Sequence, residues 1–370
     1  MEIHRRSVRV WATLVVVLSM VFFFSGAAYV GYRHLRHSSN RMIRRLMNRD
    51  WIPSTMAASD AARAERDLAD DPEDQIARAS LIQYYELASA DEPTQNNPRY
   101  GELEEKREQL ILWSVAHHPE CTCLASPSAW LRPDDVHYSE AKQIWLRQVD
   151  VHSKEVSVVA NAALALRSDP ELSRQLANRA LAIQPNNPKM LETVAASYTR
   201  EMRFTDSVED RRLFAKRALQ AWEACAANGG DRLLPELAIS AFEAGDFVKA
   251  KQYATQLLDT SRVQYQEVVS DNLHIANTIL GRLALRKGDI AEARRRLLAS
   301  APEDGSPILS SYGPRMALAA ELLDHGERDV VIVYLDKCAR FWAFGRGQIG
   351  QWKLAIREGK KPDFGDNLRP

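Results

Sequence analysis

A repeated pattern of glycine, acidic and small residues marks the last third of the chain. It is centred on Gly245, Gly288 and Gly326, each followed by an acidic residue. Small or β-branched residues stand seven positions before and five positions after these glycines: Ala238 and Ala250, Gly281 and Ala293, and Ala319 and Val331. Apolar residues recur around them at intervals of three and four, the spacing of one helix face. The pattern therefore predicts pairs of helices joined at the glycines.

Each part of this pattern has a physical role in a helical hairpin. Glycine readily adopts the left-handed conformation that ends a helix. The acid after it, which is Asp246, Asp289 or Glu327, is suited to start the next helix. Small residues on both helices let the two backbones approach closely. Because one hairpin cannot bury its apolar face alone, neighbours must stack, and the pattern predicts an all-α solenoid of irregular hairpins.

These residues are similar to the tetratricopeptide repeat, whose motif pairs Leu-Gly with a later Gly-Asp and an Ala, and often closes with Pro. The strongest match runs over residues 280–298, and residues 180–187 resemble the usual exit through Pro185. The glycines are 43 and 38 residues apart, against about 34 in the family. Longer turns or extra helical turns must absorb this surplus. The resemblance implies a TPR-like body over residues 59–340, best matched at 234–340.

Residues 10–32 form an uncharged stretch of 23 residues. About 20 helical residues span the hydrocarbon core of a bilayer, so this stretch predicts a single transmembrane helix. A cleaved signal peptide is the alternative, since arginines precede the stretch and small residues follow its apolar centre. Arginines lie on both sides of residues 10–32, so the membrane orientation of the body stays open.

Charge is distributed unevenly along a chain whose formal net charge is zero. Residues 1–50 contain nine arginines and two acids and carry +7, so the remainder carries −7. The body has no basic stripe that would neutralise phosphates, which argues against nucleic-acid binding. Arg41, Arg44 and Arg45 alternate with apolar residues and could lie on an anionic lipid surface, or could belong to a solvated helix.

The sequence shows no catalytic, cofactor or metal motif that survives inspection. Residues 345–350 satisfy G-x-G-x-x-G, but only 20 residues follow, too few to complete a dinucleotide fold, so a glycine-rich turn between helices is expected. Residues 117–123 hold two histidines and two cysteines without the spacing or second ligand pair of a zinc site. Whether Cys121 and Cys123 form a disulfide stays open. We therefore predict no catalytic residue, cofactor or metal ligand.

The resemblance implies a partner-binding groove lined by the first helix of each repeat. Arg282 and Arg286 are four residues apart on one such helix, so their guanidinium groups share a face and could hold a carboxylate. Solvated arginines paired with nearby acids are the alternative. Carrying the pattern across adds further positions to the groove: Ile239, Phe242, Glu243, Leu285, Met316, Ala320, Leu323 and Asp324.

The chain is thus divided into five predicted segments: a basic tail (1–9), a transmembrane helix (10–32), a basic juxtamembrane segment and linker (33–58), the repeat body (59–340), and a C-terminal helix and tail (341–370). The predicted function is a membrane-anchored scaffold that binds a protein or peptide. The alternatives are an enzyme or enzyme subunit with its site in residues 88–135, and a permanent structural subunit of a membrane complex.

Overall fold

The computed structural model describes residues 56–91, 98–227, 233–260, 266–303 and 305–370. The predicted transmembrane helix and most of the juxtamembrane segment lie outside these residues. Helices and turns, with no strand, make up the described part, so the all-α prediction is confirmed there. None of the helices described is both long and apolar enough to cross a bilayer.

The described residues contain sixteen α-helices, numbered here in chain order. Their bounds are α1 Ala58–Asp70, α2 Gln75–Asp91, α3 Pro98–His117, α4 Tyr138–Val151, α5 Val156–Ala165, α6 Pro170–Ile183, α7 Pro188–Phe204, α8 Val208–Ala226, α9 Leu234–Ala244, α10 Phe247–Thr260, α11 Gln266–Leu285, α12 Ile290–Ala299, α13 Pro307–Tyr312, α14 Ala317–Asp324, α15 Arg328–Phe341 and α16 Arg346–Arg357.

Most consecutive helices pack against each other along the chain, as in an α-solenoid, while the short helix α13 packs on α11. The three hairpins predicted from the glycine pattern are α9/α10, α11/α12 and α14/α15. Their first helices contact one another in order, α9 with α11 and α11 with α14, and the second helices α12 and α15 are also in contact. The first helices therefore form one continuous side of this part of the array.

The three hairpin glycines adopt the predicted left-handed conformation, with φ of 83°, 76° and 81° at Gly245, Gly288 and Gly326. Each hairpin turn closes with the same pair of backbone hydrogen bonds, for example from Gly245 N to Phe242 O at 3.0 Å and from Asp246 N to Ala241 O at 2.9 Å. Asp246 and Asp289 also cap the second helix with their carboxylates. Glu327 also stands at the N-cap of α15, as predicted, but its side chain makes no capping hydrogen bond.

The wide spacing of the glycines has two structural causes. Helix α11 has 20 residues, which lengthens the second hairpin. The short helix α13 is inserted between α12 and α14, which lengthens the third. Extra helical residues therefore absorb the surplus over the regular repeat length.

The end of the chain folds back onto the last hairpins. Here the tail means residues 360–370. Phe364 is fully buried and packs edge-on against Trp352 of α16, with ring centroids 4.9 Å apart. The Trp352 indole donates a hydrogen bond to the Asp363 carbonyl at 2.8 Å. The backbone then makes a short 3₁₀ turn at Gly365–Leu368, so the last residues run back over the array.

Candidate binding surface

Arg282 is held between acids from the two neighbouring first helices. Its Nη1 donates to Glu243 of α9 at 3.0 Å, and its Nε donates to Glu321 of α14 at 2.7 Å. All three side chains are partly buried, which limits screening of the charges by solvent. Arg282 therefore links three successive first helices, as in the alternative that paired it with nearby acids.

Arg286 was predicted to share a helix face with Arg282, but α11 ends at Leu285 and Arg286 lies exposed in the turn that follows. Its guanidinium carbon lies 5.4 Å from the ring centroid of Phe242 and 4.5 Å from that of Phe247. The Arg282 guanidinium lies 4.1 Å from the same Phe242 ring. The two arginines thus rest on an aromatic base, which favours a fixed orientation of Arg286.

The apolar residues predicted to line the groove lie mostly beneath its surface. Ile239, Phe242, Leu285 and Met316 are buried, and Leu323 is partly buried against the core. Their spacing places them on the side of each first helix that packs against its neighbours, where they exclude water. Of the predicted set, it is the charged side chains that reach the surface, and Asp324 pairs there with Lys361 of the tail at 2.7 Å.

Together with Glu321, four more charged residues that the sequence did not single out extend this surface. Arg203 of α7 pairs with Glu236 of α9 at 3.3 Å. Arg315, in the loop before α14, lies within electrostatic reach of Arg203, Glu236, Asp271 and Glu243. Its buried surroundings and Arg203 lower the pKa of Arg315 to about 10, while the three acids oppose that shift. We call the whole set the first-helix surface: Arg203, Glu236, Glu243, Asp271, Arg282, Arg286, Arg315 and Glu321.

A buried histidine fixes the loop that carries Arg315. His274 Nε2 accepts the backbone N–H of Arg315 at 2.9 Å, so its Nδ1 carries the proton and donates to the Ser300 carbonyl at 2.8 Å. Burial lowers the pKa of His274 to about 4, with the nearby Arg315 charge adding to the effect of burial. His274 is therefore neutral at neutral pH and holds α11, α12 and the Arg315 loop together.

The tail contacts this surface at two places, the loop before α14 and the end of α7. The Met316 amide donates to the Asn367 carbonyl at 2.7 Å, and Asn367 Nδ2 donates to the carbonyls of Tyr312 at 3.2 Å and Pro314 at 2.9 Å. Arg369 Nη1 then donates to the Arg203 carbonyl at 3.2 Å. The tail therefore bridges the start of α14 and the end of α7.

A separate charged network lies in the region proposed for the enzyme alternative. Arg107 of α3 is only 1% exposed and donates to Glu104 at 2.9 Å, to Asp135 at 3.4 Å and to the Ser128 carbonyl at 2.8 Å. Arg132 also binds Asp135, through Nε at 3.0 Å and its backbone amide at 2.8 Å. Two guanidinium groups thus neutralise the carboxylates at this point.

Glu104, Glu108 and Asp135 are close enough for their oxygens to surround a cation. Those oxygens are already bonded, because Arg107 lies between two of the carboxylates and Glu108 accepts the His137 amide at 2.8 Å. Burial raises the pKa of Glu108, and the neighbouring Asp135 charge adds to this effect. These contacts join α3 to the loop before α4.

The remaining sequence motifs have structural roles. Cys121 and Cys123 are joined in a disulfide. His117 stacks on Trp113 with centroids 4.4 Å apart, and His118 bonds Glu73 at 2.6 Å, so the four potential ligands do not converge. Residues 346–350 lie within α16 and Gly345 directly precedes it, so this stretch begins a helix and is not the turn between helices that the sequence predicted. No protein-family model and no curated protein sequence matches the chain.

Proposed function

We propose that this chain is a membrane-tethered scaffold of tetratricopeptide type that binds an extended protein segment on its first-helix surface. The observation that carries the proposal is the ion-paired row formed by Glu243, Arg282 and Glu321 across three successive first helices. A side of the array made only for packing would be apolar, whereas this side displays charged groups in fixed positions. Preset charges lower the ordering cost of binding and favour partners of matching charge pattern.

Arg286 is the arginine of this surface that is best placed to meet a partner carboxylate. Arg282 already donates to Glu243 and Glu321, so a partner would have to displace one of these acids to bind it. Arg286 is exposed and is held over Phe242 and Phe247. A carboxylate brought to Arg286 would accept charge-assisted hydrogen bonds without disturbing the ion-paired row.

The tether in this proposal is the uncharged stretch of residues 10–32, which is long enough to cross a bilayer. A tethered body meets only partners near the same membrane, which raises the effective concentration of such partners. If the partner never dissociates, this scaffold would be a permanent subunit of a membrane complex.

The test uses Arg286→Glu, with Lys287→Glu as a matched control of equal charge change on the adjacent exposed residue. Proteins crosslinked to each full-length variant in membranes are identified by mass spectrometry. Partners of the first-helix surface should be lost from Arg286→Glu and kept by Lys287→Glu, with equal melting temperatures. Identical partner sets for the two variants would refute the proposed surface. Reversal of Arg282 is unsuitable, because it would place three carboxylates together and destabilise the array.

A further inference from the structure

The tail binds the array through contacts of the kind used by a bound peptide. At the loop before α14 it accepts a backbone hydrogen bond from Met316 N at Asn367 O, and Asn367 Nδ2 donates to the carbonyls of Tyr312 and Pro314. Such contacts fix where a segment binds through hydrogen bonds to its backbone and to one polar side chain. They do not depend on the tail being joined to α16.

Arg369 adds a second recognition contact two residues further on. Its guanidinium carbon lies 5.0 Å from the ring centroid of Phe204, and the group donates to the Arg203 carbonyl at 3.2 Å. Phe204 is a large apolar side chain that remains 56% exposed even with this arginine over it. The exposed Phe204 ring and the Arg203 carbonyl at the end of α7 therefore form a binding site for a cation, which we call the seat.

The seat is continuous with the first-helix surface. Arg203, whose carbonyl receives Arg369, uses its own side chain to bind Glu236 of that surface. Pro314, whose carbonyl receives Asn367, directly precedes Arg315 of the same surface. A segment seated on the surface from α7 to α14 would therefore compete with the tail for these positions.

We propose that the site between Pro314 and Phe204 recognises a protein segment with asparagine, in a 3₁₀ turn, followed two residues later by arginine, and that the chain's own tail occupies it in cis. This inference rests on the proposed function and names the partner chemistry and its regulation. A tethered segment has an effective concentration of about millimolar, so a free partner competes poorly until the tail is displaced. Release of the tail is thus the step that opens the site.

The test keeps the fold intact and changes only the tether. A protease site is inserted after Gly359 in the full-length chain, and cleavage is done after folding. The probe is a fluorescently labelled peptide with the sequence of residues 360–370, followed by anisotropy. Uncleaved chain should bind this peptide at least about tenfold more weakly than cleaved chain, in which the released tail can exchange.

Peptide variants separate recognition from the Phe364 anchor. A peptide carrying Asn367→Ala and Arg369→Ala should bind cleaved chain about tenfold more weakly than the unaltered peptide, whereas Leu368→Ala, at an exposed position, should bind equally. Equal binding of the double variant, or of cleaved and uncleaved chain, would overturn the inference, as would no binding of any peptide. If the inference fails while partner capture still depends on Arg286, the proposed function stands without the tail.

Discussion

Replacement of Arg107 by methionine should destabilise the chain strongly, because the guanidinium is the counter-ion of buried carboxylates. Methionine keeps the length of the side chain and removes its charge. At an effective dielectric constant of about 20, the pair with Glu104 at 2.9 Å is worth about 6 kcal/mol before desolvation. Breaking a buried pair by removing one partner typically costs about 3–5 kcal/mol, and we expect a loss of that size at pH 7.5.

The size of this loss should depend on pH in a defined direction. Burial acts to raise the pKa of Glu104, but Arg107, Ser89 and Arg132 together outweigh it and lower the pKa. Without Arg107, burial has the larger effect on Glu104, so the pKa of Glu104 rises and protonation removes its uncompensated buried charge. Between pH 7.5 and pH 5 the unaltered chain keeps its Glu104 contribution, which is lost only below the unfolded pKa of about 4.3. The variant gains stability as pH falls over that interval. The difference in unfolding free energy between the variant and the unaltered chain should therefore be smaller at pH 5 than at pH 7.5.

Urea unfolding followed by tryptophan fluorescence at the two pH values measures both effects. Lys106→Met is the matched control, since Lys106 pairs with Glu65 at 3.0 Å on the surface and should cost less than about 1 kcal/mol. A loss below about 1 kcal/mol for Arg107→Met, or a loss that is the same at pH 5 and pH 7.5, would refute the reasoning.

Three further predictions test local features of the array. Gly288→Ala should lower the free energy of unfolding by about 1–2 kcal/mol through its positive φ alone, since open space surrounds the position. Gly347→Ala, within α16, should instead raise the free energy of unfolding by about 0.5–1 kcal/mol. Urea titrations of both variants would detect these opposite signs. Gly281→Ala should lower the melting temperature, because its new methyl group would overlap Leu318 of α14, at a cost of about 1–3 kcal/mol; an unchanged melting temperature would contradict this close approach. Because the folded pKa of His274 is about 4, below its unfolded value of 6.5, the free energy of unfolding should fall by about 3 kcal/mol as pH drops from 6.5 to 4. In calorimetric scans His274→Phe should not show this dependence of stability on pH.

Local patterns in the sequence predicted the hairpins because their causes are local. The left-handed turns at Gly245, Gly288 and Gly326 depend on glycine and on residues within a few positions of it. Whether a first-helix side chain is exposed depends on neighbours far along the chain. The same spacing therefore placed Phe242, which is buried, and Arg286, which is exposed, in one predicted groove.

The parts of the site that the sequence missed are those created by long-range contacts. The seat of Arg369 is formed by Arg203 and Phe204, 166 and 165 positions earlier, and no periodicity links them. The Arg107 network did leave a trace, because Glu104, Arg107 and Glu108 share one face of α3 at helical spacing. Charges repeated on one face usually indicate a solvated surface, so only the structure could show that this face is buried.

The contact of the tail with α7 also bears on how the array comes apart. In most solenoids each repeat touches only its neighbours, so end repeats can fray independently of the rest. Here a bond between residues 369 and 203 joins units that are far apart along the chain. Fraying at the last hairpin should therefore loosen the middle of the array as well, and the helices between the two points should unfold with greater cooperativity than a linear array allows.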